Sequence, residues 1–153
     1  MYVVMQVNPK YMIFTKLKTK IQINLILQCI GMLIGTTTHL LWIINHGFFS
    51  AKYHVGVLSM LFWDSLTFLD PIAAVLLISR PKAGIWMTAI IIVADVLHNG
   101  ILCFSVLLST DVPVISWAKN EWMFWIQLFF GLFVIATFKG NLIALKIKRV
   151  RKI

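Results

Sequence analysis

Three of the five acidic residues in this 153-residue chain, Asp64, Asp70 and Asp95, stand inside apolar runs long enough to cross a bilayer. A carboxylate at mid-bilayer costs at least about 2.5 kcal/mol on insertion scales, so such groups face an interior, take up a proton or have partners. In DSLTFLDP, residues 64–71, two carboxylates stand beside Thr67 and Pro71, and Trp63 comes just before them. In ADVLHNG, residues 94–100, Asp95 precedes His98 by three positions and Asn99 by four, which puts all three on one helical face. Carboxylates and a histidine in apolar surroundings can exchange a proton with a bound molecule, pair with a cationic amine, or relay protons. Asp64, Asp95 and His98 are therefore the candidate acid–base groups. Thr67, Asp70, Asn99, His39, Gln127 and Trp63 complete the candidate ligand-binding set.

The elements that carry these residues follow from composition. Hydrophobic residues make up 60% of the chain and charged ones 12%, and the mean hydropathy is +0.90, far above that of a soluble domain. Four apolar runs have the length of about 20 residues that a membrane helix needs: 23–44, 55–78, 85–108 and 122–145. Short connections predict one all-α, integral membrane four-helix bundle in a single domain, 1–153. The runs are continuous rather than alternating, which excludes a β-barrel. No internal repeat or long linker suggests a second domain.

Orientation follows from the 14 Lys and Arg. Lys10, Lys16, Lys18 and Lys20 precede the first span, and Lys146, Lys148, Arg149, Arg151 and Lys152 follow the last. Arg80 and Lys82 lie in the turn between spans two and three. By the positive-inside rule, both termini and that turn face the cytoplasm. Residues 1–22 read as a basic, interfacial segment on the inner leaflet, and 146–153 as a basic tail. The first span reads as a retained signal anchor, being too long for a cleavable signal. Trp42, Trp86, Trp117, Trp122 and Trp125 fall near span ends, as an aromatic belt requires. The net charge of +9 sits beside span ends, where anionic headgroups meet it, and points to lipid rather than nucleic acid. Abundant isoleucine and lysine suggest an AT-rich bacterium and hence its inner membrane, although an endoplasmic-reticulum protein would share the topology.

In this orientation His39, Asp64, Asp70, Asp95, His98, Asn99 and Gln127 form one polar layer, from the bilayer centre outward. Asp64, Thr67 and Pro71 share a face of span two, since seven residues return to within about 20° of the start, while Asp70 points roughly 120° away. Pro71 frees the carbonyl of Thr67 and predicts a bend with a polar pocket at it.

A second span with an acidic residue followed by proline (DSLTFLDPIAAVLLI), a short basic turn, a polar third span and cytoplasmic ends together resemble the EXPERA-type proteins, the group of sterol isomerases and the sigma-2 receptor. The resemblance implies a small lipophilic or cationic ligand, handled by carboxylates of the first two spans or their flanks. The first span here has no carboxylate and offers His39, Asn45 and His46 in or just after it.

The residues by themselves leave several functions open: a lipophilic or cationic ligand pocket with or without acid–base chemistry, a proton-coupled transporter that would oligomerise at this size, and a non-catalytic membrane subunit or assembly factor. Haem held by His39 and His98 is a further alternative, though their expected heights differ by about four residues of 1.5 Å each. Cys29 and Cys103 lack the close spacing of a thiol redox pair. No phosphate loop, nucleophile elbow or metal-ligand spacing is present, and no metal is expected.

Overall fold

The computed structural model describes the backbone from Pro9 to Val150 and the side chains from Thr19 to Lys146. Residues 1–8 and 151–153, which hold parts of the expected interfacial segment and basic tail, lie outside the described residues. The elements are α1 (Pro9–His46), a 3₁₀ turn (Ala51–Tyr53), α2 (Val57–Ser79), α3 (Pro81–Ser109), α4 (Val114–Asn120) and α5 (Trp122–Val150). No strand occurs among the described residues. Four helices, α1, α2, α3 and α5, are long and apolar enough to cross a membrane. The chain is thus an all-helical, multi-pass membrane protein, and each long helix covers one of the four apolar runs.

Two local features differ from a plain four-span outline. From Pro9 the backbone of α1 is helical without interruption into the first apolar run, so Lys10 to Lys20 extend the same helix. The loop after α3 also folds into α4, a two-turn helix that buries Trp117. Trp117 Nε1 donates to the Cys103 carbonyl (3.0 Å), and Trp125 Nε1 to that of Ala118 (2.9 Å). Burial of an indole requires such a partner for its N–H, and these bonds pin α4 across the ends of α3 and α5.

Helix α2 is one helix through Pro71. Only Arg80 separates α2 from α3, and Pro81 opens α3 at the first-turn position, where its missing N–H costs nothing. The hairpin closes tightly because Gly84 has no side chain. A Cβ there would overlap the backbone of Leu76 and Leu77.

The core lies along α2. Leu66, Ala73, Ala74 and Leu77 pack with Met32 of α1 and with Ile85 and Ile91 of α3, and Ala89 and Ile92 pack on Val134 of α5. Small residues at these seams let helices approach closely where lipid offers no hydrophobic drive between them. Outward faces are apolar too, as at Leu58, Ile78 and Leu108, the all-round pattern of a helix in hydrocarbon.

Neighbours run α1, α2, α3, α5, and α5 returns to α1. That last seam closes at one end only. Asn24 Nδ2 donates to Asn141 Oδ1 (3.0 Å), Gln28 Nε2 donates to Thr137 Oγ1 (3.1 Å), and the Phe130 ring lies against Gly31. Gln28 and Asn141 are fully buried, and polar clasps of this kind join membrane helices at about 0.6 kcal/mol each or somewhat more. Beyond Gly31, toward the α1–α2 loop, no such clasp joins the two helices among the described residues.

Candidate functional site

Where α1 and α5 part, a cavity of about 580 Å³ lies between all four long helices. Asp70, Asp95 and Glu121 line it together with His39, Asn99 and Gln127. Three of the chain's five acidic residues therefore meet one space whose remaining walls are largely apolar, Met32, Ile91, Ile92 and Phe130 among them. Ile34 of α1 and Met123 and Ile126 of α5 also line it, and all three are exposed on the bundle's outer surface. The cavity thus opens sideways, through the unclasped part of the α1–α5 seam.

The carboxylates differ in what they touch. Both oxygens of Asp95 are occupied: Asn99 Nδ2 donates to Oδ1 (3.0 Å), and Gln127 Nε2 donates to Oδ2. Asn99 Nδ2 also donates to Gln127 Oε1 (2.9 Å), and Trp63 Nε1 donates to Asn99 Oδ1 (2.9 Å). This network ties α2, α3 and α5 together around one carboxylate, with every acceptor matched to a neutral donor as burial demands. Glu121 Oε2 accepts from the Cys103 thiol (3.2 Å).

Asp70 is 4% exposed and accepts no hydrogen bond among the described residues. Its side chain fits against α1 at Gly35, where a Cβ would stand 2.5 Å from Oδ2, and Asp95 lines the same cavity. A buried carboxylate without a cation or donor is costly.

Asp64 lies apart from this cavity. It accepts from the Phe49 backbone N–H (2.7 Å) and from the Tyr53 hydroxyl (2.9 Å), so it anchors the loop between α1 and α2. Phe49 and His54 in that loop hold left-handed backbone, with φ of 52° and 53°, a strained geometry for residues with side chains. The two bonds to Asp64 span this strained stretch. Burial, then the bond to Asp64 and its negative charge, push the Tyr53 phenol well above its ordinary range.

Removing the anchor is expected to cost about 2 kcal/mol, within the range for hydrogen bonds to a charged group. The measurement is thermal unfolding of Asp64→Ala in nanodiscs. Because Tyr53 has a raised folded-state pKa, its stabilising contribution is fully present below about pH 10, the unfolded value, and is lost as pH rises through the folded one. Ultraviolet titration should show a tyrosine component that lags well above the ordinary range. In Asp64→Ala that component should move down; an unchanged titration would mean that Asp64 does not hold the loop.

The remaining candidates fall as follows. His98 packs against Phe62 (ring centroids 4.8 Å) and edge-on against Trp63 (5.4 Å), and its buried Nε2 has no partner. Asn99, rather than His98, takes the bond to Asp95. Thr67 is buried with an unpaired hydroxyl and does not line the cavity. Trp63 lines the cavity and donates into the network.

Sequence reasoning missed Glu121 as a lining residue, Tyr53 as a partner of Asp64, and the Asn24, Gln28 and Asn141 clasp. Gly31 and Gly35, four residues apart, carried the one legible sign of a close helix approach. No protein-family model, curated protein or solved structure matches this chain.

Proposed function

We propose that the protein binds a small lipophilic cation, admitted sideways from the bilayer between α1 and α5, with its charge at Asp70 and its apolar body in the cavity. The observation that carries this reading is the unpartnered Asp70 carboxylate in a mostly apolar space of about 580 Å³. That volume falls in the range of small-molecule sites, which combine apolar walls with a few fixed polar groups. Asp95 and Glu121 line the same cavity, while Asn99 and Gln127 hold Asp95 in place. Proton exchange with the bound molecule would run through Asp70, the carboxylate whose oxygens are free. In this reading both termini and the Arg80 turn face the cytoplasm, following the lysines and arginines, and the cavity opens toward the outer leaflet of a bacterial inner membrane.

Two probes with the same alkyl chain isolate the charge. Dodecylamine is expected to raise the melting temperature of the protein in nanodiscs in a saturable way, and dodecanol to leave it nearly unchanged, since only the amine relieves the buried carboxylate. Equal shifts from both would reduce the cavity to an apolar crevice and remove the cation from the proposal.

A further inference from the structure

At the opposite end of the bundle, near the clasped part of the α1–α5 seam, lies a second cavity of about 900 Å³. It is a trench walled by Leu25, Ile26 and Ile30 of α1 and by Leu77 and Ile78 of α2, with Ala144 and Leu145 of α5 on its other side. Pro81 and Gln22 line the end nearest the start of α1 and the α2–α3 turn.

Four cations stand next in sequence to residues that line this trench. Lys20 adjoins the lining residue Ile21, Arg80 and Lys82 flank Pro81, and Lys146 follows Leu145; all four are exposed. None of the chain's acidic residues lies in the stretches 19–30, 77–85 or 140–146 that build this part of the molecule. An apolar trench that ends among four cations with no acid beside them complements an amphiphile with an apolar tail and a negative head. Charge alone would draw many anionic lipids loosely to this end. The trench adds a place for one chain to lie.

We infer that this trench binds one anionic phospholipid, with an acyl chain along Ile26, Ile30 and Ile78 and the phosphate among Lys20, Arg80, Lys82 and Lys146. The site is separate from the acidic cavity in position and in charge, and it does not depend on the function proposed for that cavity.

The test is native mass spectrometry of the full chain released from phosphatidylcholine nanodiscs doped with increasing phosphatidylglycerol. The expected result is retention of one phosphatidylglycerol per chain that saturates with its mole fraction, with little retained phosphatidylcholine. Two variants separate the parts of the site. Lys20→Gln with Arg80→Gln and Lys82→Gln removes charge and leaves the trench, and should weaken retention about tenfold or more. Ile26→Trp adds bulk at a wall position that is 58% exposed, keeps every charge, and should displace the lipid equally well. Retention that rises linearly without saturating would overturn the proposal, and so would full retention in Ile26→Trp, since either means that headgroups are attracted to the surface and no chain occupies the trench. Melting temperatures in phosphatidylcholine alone show that the variants fold; should Ile26→Trp not fold, Ile78→Trp, at a position 76% exposed, takes its place.

Discussion

Asp70→Asn is expected to make the protein more stable and to weaken cation binding about 100-fold in the same molecule. The two effects share one cause. The Asp70 carboxyl group is buried against Gly35 without a donor among the described residues. Replacing it with a neutral amide removes the cost of holding an acid there, whether as a buried charge or as a protonated carboxyl, worth about 1 kcal/mol or more even after the new amide is left partly unsatisfied. For a bound cation the same change deletes its counter-charge, and truncating one member of a buried ion pair costs about 2–5 kcal/mol. Dodecylamine should then bind about 100-fold more weakly, the lower half of that range at 1.4 kcal/mol per factor of ten. Melting and binding are read on the same nanodisc sample. Asp95→Asn provides the contrast: Asn99 and Gln127 both donate to Asp95, so this change should destabilise the bundle. If Asp70→Asn also lowered the melting temperature, Asp70 would be a structural partner and the cation reading would fail.

Gly84→Ala should destabilise the bundle by about 2–3 kcal/mol, at the upper end of what overpacking costs, while Gly140→Ala should stabilise it by up to about 1 kcal/mol through helix propensity alone. At Gly84 the added methyl meets main chain: the Leu76 carbonyl carbon and the Leu77 N and Cα lie within 2.6 Å of where the methyl would be, or nearer still. Backbone cannot rotate away as a side chain can, so α2 and α3 must separate just after their one-residue turn. At Gly140 nothing lies within 4 Å. Paired melting curves for the two variants measure the difference directly. A neutral Gly84→Ala would show that the α2–α3 hairpin opens at little cost.

Much of the fold was legible in the sequence because a bilayer restricts the choices. An apolar run of about 20 residues in hydrocarbon must satisfy its own backbone, and a helix is how a single segment does so. The runs around Ile30, Ala74, Ile91 and Val134 therefore announced α1, α2, α3 and α5. The short α4 gave no such sign, because seven residues with one buried tryptophan do not stand out from a loop. The polar layer was legible for a similar reason: Asp70, Asp95, Asn99, Gln127 and His39 are conspicuous in apolar surroundings, and helix rise alone gave them similar depths.

What the sequence by itself determined is the four helices and their order, since apolar length is a property of a single segment. It also separated Asp64 from Asp70 by roughly 120° on α2. Only the tertiary structure decided what lies behind each face. Asp64 meets the α1–α2 loop and Asp70 the cavity; Asn99 rather than His98 reaches Asp95; and Gly84 touches backbone while Gly140 touches nothing. The physical reason is that angular position on a helix says which residues point the same way, whereas a side chain's role depends on the neighbouring element it meets, and that element is set by packing between segments distant in the chain.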